Sequence, residues 1–197
     1  MSEEVDQGRR RLLVTATALT GAVGAVLAAT PFLASWKPSA RAKALGAPIE
    51  IDISKLEAGA MLKVEWRGKP VWVVRRTPEM LKQVDAATPF LLDPNSEASV
   101  QPAYAKNVDR SSKPEYFVVL GVCTHLGCAP MAKFQAEDVT VSADWPGGFY
   151  CPCHGSKFDL AGRVFKGVPA PANLTVPPYS FVSDGRIVVG SDATQAA

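Results

Sequence analysis

The chain has 197 residues, enough for one domain of ordinary size and a short extra segment, with the 47% hydrophobic and 20% charged content of a globular protein. A net charge of +2 with no basic stripe excludes nucleic acid as a partner. Sixteen prolines and fifteen glycines favour short strands joined by turns over long helices, and all four cysteines and both histidines lie between Cys123 and His154.

Residues 1–11 are polar and end in Arg9-Arg10-Arg11. Leu12 to Trp36 then carries no charged residue. As a helix these positions reach roughly 37 Å, more than the roughly 30 Å hydrocarbon core, so 12–36 is expected to be a single transmembrane anchor. The arginines on its N-terminal side predict residues 1–11 in the cytoplasm and the rest exported, in a bacterium from the inner membrane into the periplasm. Val26-Leu27-Ala28 offers a cleaved secretory signal as the alternative. However, such signals have apolar cores of about 7–15 residues, whereas this run continues through Phe32 and Leu33, which favours retention. The paired arginines before an Ala/Gly/Thr-rich run also resemble a twin-arginine export signal, a route for folded proteins. Residues 37–47 (KPSARAKALGA) have the composition of a hinge or linker.

Residues 48–197 are expected to form an all-β head with one or two short helices. Ile49-Glu50-Ile51-Asp52-Ile53 alternates as a half-buried strand does. Met61–Trp66 and Val71–Arg75 flank Arg67-Gly68-Lys69-Pro70, a hairpin turn. Thr77 and Pro78 mark a helix start, with Thr77 as cap and Pro78 in the first turn. Phe90 to Ser112 is loop-rich. The apolar run Tyr116–Val122 predicts a buried strand leading into the first cysteine motif. Tyr179–Val182 and Arg186–Val189 bracket Ser183-Asp184-Gly185, a second hairpin.

Two segments carry the chemistry: Cys123-Thr124-His125-Leu126-Gly127-Cys128 and Cys151-Pro152-Cys153-His154-Gly155-Ser156. Three readings are open. Four exported cysteines can pair as two disulfides, leaving the histidines incidental. Two cysteines and two histidines can hold zinc, which strands two cysteines. A two-iron, two-sulfur centre in which two histidines replace two cysteines on one iron makes use of the whole set.

The paired loops resemble those of the Rieske iron–sulfur subunit of respiratory cytochrome bc complexes, the ubiquinol–cytochrome c reductases. The similarity extends to Gln101-Pro102, to Lys113-Pro114-Glu115-Tyr116 and to Gly167 through Asn173. The resemblance implies a Rieske-type antiparallel β sandwich or barrel with a small cluster-binding subdomain whose loops lie within 120–172. It implies one 2Fe–2S cluster, with Cys123 and Cys151 on one iron, His125 and His154 on the other, and a Cys128–Cys153 disulfide joining the loops. His154 and His125 are the implied catalytic residues, His154 hydrogen-bonding quinol and accepting an electron and a proton. The potential is then expected to fall as pH rises. Leu126 is expected to shield the cluster and contact quinone, and Ser156 to donate a hydrogen bond to a bridging sulfide. Gly167-Val168-Pro169-Ala170-Pro171 resembles a proline-containing third loop over the cluster. Two imidazoles in place of two thiolates leave the oxidised cluster less negative, which places the potential at about −150 to +300 mV. The implied partners are a cytochrome b subunit, a c-type cytochrome and a ubiquinol-type quinol, in a dimeric, membrane-anchored complex. An alternative is a periplasmic Rieske subunit of another oxidoreductase, such as an arsenite-oxidase-like small subunit. The chain departs from many relatives at Phe158, where they carry a tyrosine that donates to a ligand sulfur, and at Lys157.

Overall fold

The computed structural model describes residues 5–191; residues 1–4 of the expected cytoplasmic segment and 192–197 of the expected head lie outside it. The described chain forms two units, divided between Ala44 and Leu45.

In the first unit, α1 spans Gln7–Ser35. Asp6 caps its start, the carboxylate accepting from the Gly8 and Arg9 N–H groups at 2.9 and 3.2 Å, so the helix begins before the uncharged stretch 12–36 expected as the anchor. That satisfies two of the orphan donors every helix start carries, so the arginines fall inside the first turns. The Thr20 and Thr30 hydroxyls donate to the carbonyls of Ala16 and Val26, each at 2.7 Å, which hides their polarity within the helix. With a mean hydropathy of 2.0 over its most apolar window, the helix is long and apolar enough to cross a membrane. A second helix, α2 (Ala40–Gly46), occupies much of the expected linker. The Ser39 hydroxyl starts it by accepting from the Ala42 N–H at 3.1 Å.

The second unit holds three antiparallel sheets of three strands. The first sheet orders β1 (Ile49–Asp52), β9 (Arg186–Val189) and β8 (Tyr179–Ser183). The second orders β2 (Met61–Trp66), β3 (Lys69–Arg75) and β4 (Tyr116–Leu120). The third orders β5 (Met131–Lys133), β6 (Gly148–Cys151) and β7 (Ser156–Phe158). Sequence periodicity is only half the reason for this. Val71 to Val74 of β3 are buried without a break, as are all five residues of β4, because both faces of the second sheet are covered. The β2–β3 hairpin turns on two residues, not the four expected, with Trp66 paired to Lys69. Arg67 and Gly68 both take positive φ, 53° and 70°, the geometry whose twist matches the flanking strands.

Helix α3 (Pro78–Ala87) begins as its sequence predicts, the Thr77 hydroxyl accepting from the Met80 N–H at 3.3 Å. The base of the linker is clamped to the head. Trp66 Nε1 donates to the Ala47 carbonyl at 3.0 Å, Arg67 Nη2 donates to the Gly46 carbonyl at 3.2 Å, and the Arg67 guanidinium lies 4.3 Å from the Trp66 ring centre.

Three arginines, Arg76, Arg110 and Arg163, are buried, and their guanidinium groups bind chain segments distant in sequence. Arg76 donates to the carbonyls of Asp109 and Pro114 and to the Ser111 hydroxyl. Arg110 donates to the Leu174 carbonyl at 2.7 Å and to Gln101 Oε1 at 3.0 Å. Arg163 donates to the Val84 carbonyl in α3 and forms a 2.8 Å ion pair with Asp159, both side chains being within 1% of full burial. Burial pulls the Arg76 and Arg110 guanidiniums down to about 10, which leaves both charged at neutral pH. The loop from 93 to 114 and helix α3 are thereby fastened to the turn that follows β7.

Removing the carboxylate in Asp159→Ala strands a buried cation. It is expected to cost about 3–5 kcal/mol in urea unfolding of the head. A loss below about 1 kcal/mol would show that the pair does not hold this turn.

Candidate metal centre

The two cysteine–histidine segments fold into loops of the same design. In the first, Cys123 N donates to Cys128 O at 2.8 Å, and Gly127, at φ 82°, donates to Cys123 O at 3.0 Å. In the second, which joins β6 to β7, Gly155, at φ 75°, donates to Cys151 O at 3.0 Å. Each glycine takes a left-handed conformation that closes the turn over its cysteine. Approach to the first loop is fixed by Gly121, which lies flat against the Trp72 ring; a Cβ there would overlap the indole. Trp72 in turn stacks on Phe149 of β6, with ring centres 5.4 Å apart. The two loops therefore share one aromatic support.

Cys128 and Cys153 form a disulfide between the loops, and Cys123 and Cys151 remain as free, buried thiols. Burial pushes the Cys151 thiol up, and the facing Cys123 sulfur adds to the shift. The rings of His125 and His154 meet edge to face, their centres 4.8 Å apart. Nδ1 of His125 is buried without a hydrogen-bond partner, whereas His154 is exposed. Leu126 between them is 71% exposed.

The third loop closes one side. Thr124, between the first cysteine and histidine, donates its hydroxyl to Ala172 O at 2.6 Å. The Ser156 hydroxyl, fully buried, accepts from Ala170 N at 3.2 Å, so its own proton is left to donate elsewhere. Phe158 is also fully buried. All eight residues expected from the sequence at the site, Cys123, His125, Leu126, Cys128, Cys151, Cys153, His154 and Ser156, lie on these two loops. Thr124 and the Gly121–Trp72 contact are additional, and only the tertiary fold reveals them.

The donor set suits an iron–sulfur centre. One disulfide with two free cysteines excludes the reading of two bridges. The tightest group of sulfurs, Cys128, Cys151 and Cys153 within 4.8 Å of one another, includes both halves of the disulfide, so zinc would find one thiolate there and not three. Two buried, facing thiols and an unpartnered imidazole nitrogen are groups that a cationic metal cluster would satisfy.

Comparison with known proteins agrees. Residues 93–179 match the family described as Rieske [2Fe-2S] domain, and residues 1–39 match the one described as ubiquitinol-cytochrome C reductase Fe-S subunit TAT signal. The ubiquinol-cytochrome c reductase iron-sulfur subunit of Allochromatium vinosum is 56% identical over 99% of this chain and 94% of its own length. That of Bradyrhizobium diazoefficiens is 44% identical over 92% of this chain and 94% of its own. The mitochondrial Rieske subunit of the cytochrome b-c1 complex of Schizosaccharomyces pombe is 40% identical over 91% of the chain and 72% of its own.

Fold and site together define a Rieske protein, whose cofactor is a 2Fe–2S cluster. The chain belongs to the family of ubiquinol–cytochrome c reductase iron–sulfur subunits, which places it in a cytochrome bc1 complex and sets aside the arsenite-oxidase-like alternative.

The disulfide closes a loop across a separation of 25 residues, which corresponds to about 3.5 kcal/mol of chain entropy. The double variant Cys128→Ser/Cys153→Ser is therefore expected to unfold at lower temperature and to lose its visible iron–sulfur absorbance faster on heating. Equal retention would mean that the loops hold together without it.

Proposed function

We propose that Cys123 and Cys151 hold one iron and His125 and His154 the other, and that the head carries single electrons from quinol to a c-type cytochrome. The observation that carries this reading is the edge-to-face histidine pair on the same two loops that hold the two buried free thiols. His125 would bind through the Nδ1 that has no other partner. When bound, the cluster supplies a one-electron store whose potential is raised by imidazole ligation.

The chain's own residues do the rest. His154, at the exposed edge, hydrogen-bonds the quinol hydroxyl and takes its proton on the ring nitrogen turned outward. Leu126 packs against the quinone ring and excludes water. Ser156, its oxygen already engaged by Ala170 N, has its proton free and would donate it to the bound cluster, which would favour the reduced state. Phe158 offers no hydroxyl, so this chain has one donor fewer than relatives with tyrosine at that place. The second electron of quinol passes to a b-type haem in the cytochrome b subunit.

The apolar helix α1 supports a retained anchor spanning the bacterial inner membrane, with residues 1–11 cytoplasmic and the head on the periplasmic side. Residues 37–47 then serve as the hinge. Tethering keeps the head at high effective concentration near both redox partners, so transfer does not wait on diffusion from bulk. Partners are the cytochrome b and c-type cytochrome subunits of a dimeric complex.

The complex purified through this chain is expected to contain b and c haems, two irons and two sulfides per chain, and a Rieske EPR signal on reduction. Absence of iron or of both haems would overturn the assignment. The variant His154→Leu is expected to abolish the signal. Phe158→Tyr is expected to raise the midpoint potential by on the order of 60 mV, the equivalent of a hydrogen bond worth about 1.4 kcal/mol. An unchanged or lower potential would refute the account of Phe158.

A further inference from the structure

Beside the cluster loops the head has a pocket of about 720 Å³, with Gly155, Gly167 and Val168 on its rim. Gly155 follows His154 directly, and the other two belong to the third loop, so pocket and site share an edge. The floor is aromatic: the buried Trp145 packs on Phe165 with ring centres 5.9 Å apart. At the mouth Phe90 is 64% exposed. Such a ring, lining a concave surface and touching water, is the kind of anchor found at the centre of protein contacts.

Two ammonium groups flank this apolar surface. Lys157 donates to the Ser142 hydroxyl at 3.3 Å, and Lys166 donates to the Pro89 carbonyl at 3.1 Å. Both acceptors are neutral, and among the described residues neither lysine forms an ion pair. Each ammonium has three donors and spends one here. The nearby acid is Asp144, held below the usual carboxylate range chiefly by the Ser142 hydroxyl, with a smaller contribution from the charge of Lys157. The pocket thus presents an excess of one positive charge around an apolar socket. The outermost tip differs: Thr124 to Cys128 carries no formal charge apart from the histidine and exposes Leu126.

We propose that this pocket is a docking socket for the electron acceptor, receiving an apolar side chain and an adjacent carboxylate from the water-facing surface of the c-type cytochrome. The carboxylate sits between Lys157 and Lys166, and the apolar group fills the space between Phe90 and Phe165. The charge pattern separates two partners. The uncharged tip around Leu126 suits a site at membrane depth, while a hydrated acidic face is matched by two ammonium groups with unused donors. Rim charges of this kind steer approach and fix orientation while adding little affinity, which suits a contact that must release within each turnover. Lys157, for which the cluster chemistry has no role, acquires one as a specificity residue.

The inference rests on the proposed transfer to a c-type cytochrome, and its test is done in the assembled complex with cluster and haems bound. A photo-crosslinking amino acid at Phe90 is expected to join this chain to the c-type cytochrome subunit. Adding Lys157→Glu and Lys166→Glu is expected to abolish the adduct. The same two charge reversals, with Phe90 intact, are expected to slow electron transfer from the iron–sulfur centre to the c-type haem about tenfold at low salt and to invert its salt dependence. The EPR signal and haem content report that each variant is assembled. An adduct with cytochrome b or with no subunit, or an unaltered transfer rate in the charge-reversed complex, overturns the socket and leaves the proposed electron path standing. A complex that contains no c-type haem removes both.

Discussion

Everything at the site depends on two loops being held so that their cysteine thiols face one another out of water. Neither loop could do this alone. Each bends through a left-handed glycine whose N–H closes on its own cysteine carbonyl, and the Cys128–Cys153 bridge then fixes one bend against the other. Burial raises the cost of an unpaired thiolate, so the arrangement favours a bound cation that balances two of them. The thiols supply the buried side of the site and His154 its exposed side, a division that, with the ligands as proposed, would send electrons and protons to one edge of the head.

The loops rest on a frame that is polar where a small domain is usually apolar. Arg76 and Arg110 hold carbonyl groups of segments that form neither strand nor helix, and Arg163 holds the Val84 carbonyl near the end of α3. Long loops carry backbone groups that water would otherwise satisfy, and burying them requires donors. A guanidinium supplies five in a fixed fork, which explains why arginine and not lysine fills these places. The frame links α3, the 93–114 loop and the turn after β7, so the second cluster loop is braced from behind by contacts outside the third sheet.

Much of this was legible in the chain itself. The cysteine–histidine motifs stand out because each packs two cysteines and a histidine into six residues or fewer and because the chain has no other cysteine or histidine. Thr77-Pro78 and Ser183-Asp184-Gly185 announce their helix and hairpin through local backbone chemistry. The buried arginines were not legible, since Arg76, Arg110 and Arg163 look like surface charges until distant segments converge on them. The uncharged run marks the expected anchor at 12–36, while the helix that contains it starts earlier, at the Asp6 cap, which charge alone does not announce. Gly121 gives no local sign of its role, because the Trp72 ring that requires it arrives from another strand. The pocket beside His154 likewise draws its walls from four separate segments, two of which, around Trp145 and around Phe90, carry no motif.

With residues 37–47 as the proposed hinge, the clamp of Trp66 and Arg67 on Ala47 and Gly46 would set how long a leash the head has. With those two carbonyls tied down, the free leash ends at Leu45, and residues 37–45 span at most about 32 Å when drawn straight. Wound as part of α2, residues 40–45 take up only about 9 Å of that path, so unwinding them would pay out about 12 Å of slack. A residue inserted before Leu45 therefore lengthens the leash, whereas one inserted after Ala47 is absorbed within the head and leaves its reach as it was.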